Sequence, residues 1–119
     1  MKRNAFEARL GHCYELAGQY MMDLRIGGGP GATEGVKLVH GTIRGMGNPP
    51  IGHAWVDLGP FVYEPVTAEQ YPADIFTQLF NALPEASYDY MQFRAMINAY
   101  QHWGPWHGEP PPKRRRRRR

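Results

Sequence analysis

The stretch "HAWVDLGPFVYEP" at residues 53–65 constrains the fold more than any other part of the sequence. Two runs of β-branched and aromatic residues flank Gly59-Pro60, a combination typical of a β-hairpin. A two- or four-residue loop centred on this pair places opposite each other residues whose numbers sum to 119. His53 then lies diagonally beside Glu64 on one face of the sheet. The hairpin therefore predicts an antiparallel sheet in which a histidine and a carboxylate are neighbours.

Two acidic residues lie within the hairpin and can be compared as partners of His53. Diagonal neighbours across two strands are roughly 7–8 Å apart at Cα, within reach of an imidazole–carboxylate hydrogen bond. Asp57 shares the face of His53 but lies four residues along the strand, roughly 13 Å away. The geometry therefore favours Glu64 as the acid that orients His53. A three-residue loop would turn Glu64 to the other face.

The pattern of apolar residues predicts the other elements. Helical spacing predicts a helix over 13–23, and "RIGGGPGATEG" at 25–35 is interpreted as a flexible Gly-rich surface loop. Three strands are predicted, at 36–43, 51–58 and 61–67. Two helices are predicted after them: a short helix that begins at Pro72 and a helix over 91–103. "HWGPWH" is interpreted as an aromatic clasp that closes the last helix onto the sheet. We therefore expect an α+β fold, with the N-terminal helix packed on a small antiparallel sheet and further helices at the C-terminus.

The charges are distributed unevenly along the 119 residues. Seven of the 14 basic residues lie at 113–119, so the rest of the chain, with 11 acidic residues, carries a net charge of −4. We expect one domain over 1–107, then a Pro-rich linker and a disordered poly-Arg tail over 108–119. Three roles stay open for the tail: weak contact with nucleic acid or another polyanion, docking on a partner surface, or mere solubilisation.

Other features narrow the class of protein. A single cysteine cannot form an internal disulfide, and neither a signal peptide nor a run of eighteen apolar residues is present, so we expect a cytoplasmic protein without a membrane partner. The five histidines and the cysteine lack the paired spacing of a structural zinc site. We therefore expect no metal and no cofactor.

The only cysteine, Cys13, lies at the predicted start of a helix. A thiol is a useful nucleophile only as thiolate, which a helix N-terminus and a neighbouring imidazolium both favour. The first N–H groups of the helix are also suited to hold an oxyanion during acyl transfer. Two other interpretations stay open: Cys13 as a small buried apolar residue, and His40 in place of His53 as the base.

These residues together resemble a known family. A cysteine at a helix start, then "HAWVD", then an aromatic-acid-Pro sequence on the next strand is similar to the transglutaminase-like branch of the papain-like cysteine enzymes. The resemblance covers about residues 11–67 and extends to the small, often phage-encoded members of that family. It implies a transglutaminase-like or papain-like core and a Cys–His–acid triad in this chain order. Cys13 would be the nucleophile, His53 the general base, and Glu64 would take the place of the family's usual Asp.

The resemblance implies thiol-dependent acyl transfer on a protein or peptide substrate. The reaction would be hydrolysis of a peptide or isopeptide-like amide, or transfer of the acyl group to an amine. The competing hypothesis is a catalytically inert binding module on the same scaffold, whose basic tail contacts nucleic acid or an acidic partner.

Overall fold

The computed structural model describes residues 12–45, 48–106 and 109. These residues form three helices and a five-stranded antiparallel sheet, which confirms the predicted α+β class. The helices are α1 Cys13–Ala32, α2 Ala73–Phe80 and α3 Tyr90–Tyr100; the strands are β1 Lys37–Ile43, β2 Ile51–Asp57, β3 Phe61–Glu64, β4 Glu69–Pro72 and β5 Leu83–Tyr88. The strand order in the sheet is β4-β3-β2-β1-β5. No helix in this part of the chain is long and apolar enough to cross a membrane.

The predicted end of the domain near residue 107 and the poly-Arg tail fall outside the described residues, as does all of the linker except Glu109.

The β2–β3 hairpin has the predicted register. Leu58 donates its N–H to the carbonyl of Phe61 at 2.8 Å, which closes a two-residue loop of Gly59 and Pro60. The paired residues are Val56 with Tyr63 and Asp57 with Val62, whose numbers sum to 119 in both cases. Gly59 has a φ of 95°, a backbone conformation that glycine adopts without the steric cost paid by other residues.

Both faces of the sheet are covered, which explains why four consecutive residues of β2, 53–56, are buried. One face packs against α1 and α3, in a cluster that includes Ala17, Met21, Leu38, Val56, Phe93 and Trp106. The other face packs against α2, in a cluster of Val39, Trp55, Val62 and Phe76. The central strand β2 thus contributes to two separate apolar layers.

Helix α1 is longer than predicted, and the interpretation of 25–35 as a loop was wrong for residues 25–32. The helix continues to Ala32 across a kink at Gly29, where φ is 72°. Two contacts of Arg25 hold this Gly-rich end in place: its guanidinium lies 4.6 Å from the centre of the Tyr90 ring and donates to the Thr33 hydroxyl at 3.2 Å. A tertiary contact therefore overrides the weak helix propensity of the glycines.

The sheet has two more strands than predicted. The predicted strand over 61–67 ends at Glu64 and turns back into β4, which pairs with β3 from Glu64–Glu69 to Phe61–Pro72. Strand β5 lies at the opposite edge, beside β1, and most of its side chains are exposed. An edge strand that contains a proline and exposes both faces lacks the alternating pattern on which strand prediction depends.

The C-terminal helix is shorter than predicted, ending at Tyr100 rather than 103. It begins at Tyr90 because Asp89 and Gln92 form a capping box, each accepting the backbone N–H of the other. The aromatic clasp is confirmed for residues 102–106, while His107 lies outside the described residues. Trp106 is 1% exposed within the core cluster and donates its indole N–H to the carbonyl of His102 at 3.0 Å.

Candidate active site

The carboxylate of Glu64 is buried and fully used as an acceptor. It stands at the end of β3, is 1% exposed, and accepts from His53 Nε2 at 2.6 Å through Oε1. Val66 donates its N–H to the same oxygen at 3.1 Å, and Thr67 donates its N–H to Oε2 at 2.7 Å. Burial alone would raise the pKa of Glu64, but these hydrogen bonds and the charge of His53 lower it overall. Glu64 is therefore held as a carboxylate.

The imidazole of His53 is placed between an acid and the thiol. His53 is 5% exposed on β2, and its Nε2 is occupied by Glu64, which leaves Nδ1 for the thiol. Burial lowers its pKa, but hydrogen bonding and Coulombic attraction to Cys13 and Glu64 outweigh burial and raise the pKa to about 9. At neutral pH the ring is therefore an imidazolium.

Cys13 is the first residue of α1 and is 7% exposed. The first backbone bond of the helix runs from the N–H of Leu16 to the carbonyl of His12 at 2.9 Å, and the His12 side chain does not cap the helix. The N–H groups of residues 13–15 therefore have no acceptor within the helix and point towards its N-terminus. Together with the macrodipole, they favour negative charge at this end.

The second acid of the hairpin, Asp57, has a different role. Its Oδ1 accepts the N–H of Gly59 at 2.8 Å, so it stabilises the loop between β2 and β3. The structure brings Glu64, and not Asp57, to His53.

His40, the other possible base, lies on the opposite face of the sheet from His53. It pairs with Ala54 across β1 and β2, whereas His53 pairs with Gly41, and successive residues of a strand point to opposite faces. His40 is 1% exposed and packs among aromatic rings, with the ring centres of Tyr14 and Trp106 each 4.9 Å away. The structure thus assigns His40 to the core and separates it from the His53–Glu64 pair.

Sequence reasoning missed a tyrosine beside this site. Tyr14 follows Cys13, and its hydroxyl lies against Gly52, the residue before His53; a Cβ at position 52 would be 2.8 Å from that oxygen. Burial raises the pKa of Tyr14, and the charges of Cys13 and Glu85 add to the effect. The signal was available, because an isolated glycine within a strand often marks a close approach.

Gly41, directly across the ladder from His53, is a second such position. A Cβ at residue 41 would be 2.2 Å from the carbonyl oxygen of Leu83 on β5. The missing side chain therefore lets β5 approach β1 behind the histidine.

Comparisons with protein families, curated proteins and solved structures identified no match to this chain. Within the described parts of the chain, no group of three or more His, Cys, Asp or Glu side chains is arranged to hold a metal ion.

Proposed function

We propose that this protein is a thiol-dependent acyl-transfer enzyme with a Cys13–His53–Glu64 triad on a transglutaminase-like or papain-like core. The observation that carries the proposal is the buried 2.6 Å contact between His53 and Glu64, together with the effect of Cys13, which is among the groups that raise the pKa of the same imidazole. A nucleophile, a base and an orienting acid in mutual contact are the general signature of covalent catalysis. The order of Cys13, His53 and Glu64 along the chain is the triad order of the family that the sequence resembles, with Glu64 in place of the usual Asp.

The charge of His53 suits its role as the proton donor of the proposed reaction. Because the pKa of His53 is raised to about 9, the ring carries a proton at neutral pH. The carboxylate of Glu64 keeps Nε2 protonated, so that proton exchange with the substrate takes place at Nδ1.

The reaction then proceeds in two acyl-transfer steps. The Cys13 thiolate attacks the carbonyl carbon of an amide, and backbone N–H groups at the start of α1 donate hydrogen bonds to the oxyanion. His53 gives its proton to the leaving amine as the C–N bond breaks and a thioester forms. Water or a second amine attacks the thioester, giving its proton to His53 and releasing the thiolate.

Alkylation of Cys13 by iodoacetamide tests the proposal without a known substrate. We expect alkylation at about pH 6, where an unassisted thiol reacts slowly, and a rate at least about tenfold lower in His53→Ala. Asp57→Asn is the matched control, since it alters the hairpin loop and leaves the pair intact. Equal rates in the wild type and in His53→Ala would show that the imidazole does not activate the thiol.

The low exposure of the triad supports a second candidate, an inert binding module on this scaffold. Cys13, His53 and Glu64 are only 7%, 5% and 1% exposed, so a substrate has little access to the sulfur. For this candidate we expect Cys13 to be protected from iodoacetamide in the native protein at all pH values and alkylated rapidly in concentrated urea. It also requires that Cys13→Ala retain every measurable effect of the protein.

A further inference from the structure

A cleft of about 330 Å³ lies between the sheet and α2, on the face of the sheet that carries His53. Its deepest part consists of buried apolar side chains, and its wall is completed by small residues: Val39, Trp55, Val62 and Phe76 form the floor, with Ala73 and Ala82 above them. Pockets for small ligands span roughly 300–1,000 Å³. This cleft is at the lower limit of that range, so its size suits one side chain rather than a whole cofactor.

Trp55 connects the cleft to the triad. It lies two residues after His53 on β2, so both side chains are on the same face of the sheet. The two rings are 6.4 Å apart at their centres with an angle of 29° between their planes, and on the cleft side Trp55 packs on Phe76 at 5.3 Å. The indole is thus a wall shared by the cleft and the imidazole.

The charges at the rim favour an uncharged occupant. Asp57 is the only charged residue among those that line the cleft, and its Oδ1 already accepts from Gly59. Lys37 is directly across the ladder from Asp57, which places an opposite charge on the neighbouring strand. The charge of Asp57 is opposed by Lys37, and the floor consists of two aromatic and two aliphatic residues. We therefore expect an aromatic ring to bind in the cleft more strongly than a charged or a small side chain.

We propose that the cleft binds an aromatic side chain of the acyl substrate, next to the carbonyl that Cys13 attacks. That the bound group belongs to a substrate rests on the proposed function, whereas binding of an aromatic ring in the cleft does not require catalysis. The enzyme would then prefer amide bonds that directly precede or follow an aromatic residue.

Ala82 offers a way to block the cleft without touching the triad. It is half-buried in the wall, so a phenylalanine at this position would occupy the space of the ligand ring. Ala99→Phe adds the same side chain at an exposed position of α3 and is the matched control. Thermal melting of both variants and of the wild type shows whether they remain folded. Val62→Phe is a second variant that blocks the cleft, from a residue of its floor.

Binding is measured first, in the Cys13→Ala background, by NMR of isotope-labelled protein. The probes are the N-acetyl amides of phenylalanine, leucine and glycine. We expect saturable shifts of the Trp55 indole N–H and the Ala82 amide with the phenylalanine probe, about tenfold weaker binding of the leucine probe, and no response to glycine. Ala82→Phe should abolish the shifts and Ala99→Phe should preserve them. The absence of cleft shifts, equal binding of leucine, or binding unaffected by both blocking variants would overturn the proposal.

Turnover is measured next, on fluorogenic amides of the same three residues. We expect wild-type kcat/KM to be highest for phenylalanine, and Ala82→Phe to lower kcat/KM for the phenylalanine amide more than for the glycine amide, whereas Ala99→Phe should leave this preference unchanged. Turnover without this preference would overturn the cleft assignment alone. Cleft binding without turnover of any amide would leave the aromatic site supported and would contradict the proposed function.

Discussion

His53 and Glu64 are eleven residues apart in the sequence, and Nε2 of one is 2.6 Å from Oε1 of the other. The same carboxylate accepts the N–H groups of Val66 and Thr67, which belong to the turn between β3 and β4. One buried side chain therefore both orients the imidazole and closes a turn. Because the pair is almost fully buried, removal of either partner leaves an uncompensated polar group.

Replacing Glu64 tests both of its roles. We expect Glu64→Gln to lower the free energy of unfolding by about 3 kcal/mol, since the imidazolium loses its counter-ion inside the protein. The alkylation rate of Cys13 should fall with it. Denaturation by urea gives the first quantity and mass spectrometry of the alkylated protein the second; Asp57→Asn should change the second very little.

The length of the acid is a separate prediction. Glu64→Asp keeps the carboxylate but shortens the side chain by one methylene. We expect it to lose contact with either His53 or the turn, and so to destabilise the protein by about 1–3 kcal/mol. Wild-type stability together with wild-type alkylation would show that the extra methylene has no structural function.

The stability of the protein should depend on pH on both sides of a plateau. His53 has a pKa raised from 6.5 to about 9, so its contribution is complete below pH 6.5 and is lost as the pH rises through about 9. Glu64 has a pKa lowered from 4.5, so its contribution is complete above pH 4.5 and is lost as the pH falls through the lowered value. We expect the alkaline loss to be roughly 3 kcal/mol.

Urea denaturation across this pH range measures the effect. His53→Gln is the control, because its amide can still bond to Glu64 but does not titrate near neutral pH. The alkaline decline should be much smaller in this variant, and a flat wild-type curve between pH 6.5 and 9 would contradict the raised pKa.

Two glycines of α1 should respond to alanine in opposite ways. A Cβ at Gly18 would lie 2.6 Å from a ring carbon of Trp103, so we expect Gly18→Ala to lower the stability by about 1–3 kcal/mol. Nothing lies within 4 Å of a Cβ at Gly27, so Gly27→Ala should raise the stability by about 0.5–1 kcal/mol through helix propensity. Melting temperatures of the two variants check the signs, and destabilisation by Gly27→Ala would contradict the helical assignment of this segment.

The contact between Tyr14 and Gly52 predicts a coupled pair. Gly52→Ala should displace the Tyr14 hydroxyl and change the alkylation rate of Cys13, with a stability change within about 1 kcal/mol because the clash involves the end of a flexible side chain. Tyr14→Phe removes the oxygen and leaves the nearest ring carbon 4.0 Å from the new Cβ. The double variant should therefore react like Tyr14→Phe alone, and additive effects would show that the two positions are independent.

The central hairpin could be predicted because local rules determine it. A Gly-Pro loop and the two-residue period of a strand suffice to place His53 beside Glu64. The end of α1 could not be predicted in this way, because the helix there is stabilised by Arg25 on the ring of Tyr90, far along the chain. Strands β4 and β5 lie at the two edges of the sheet, where exposed side chains weaken the pattern.

Some features of the candidate site could likewise be predicted from local rules, and others could not. The order of Cys13, His53 and Glu64 and the choice between two acids follow from sequence and hairpin geometry. The place of Tyr14 over Gly52 and the exclusion of His40 depend on how α1 and the C-terminal aromatic residues pack on the sheet. Packing of this kind joins residues that no local pattern relates.

Glu64 both orients His53 and closes the turn after β3, which affects the order in which residues of such a site can be lost during evolution. Cys13 is a small residue at a helix end, so a descendant in which the proposed reaction is no longer needed can replace it with alanine or serine and still fold. Glu64 cannot drift in this way, because the turn after β3 and the charge of His53 both depend on its oxygens. We therefore expect descendants that lack the proposed activity to lose the sulfur first and to keep the acid.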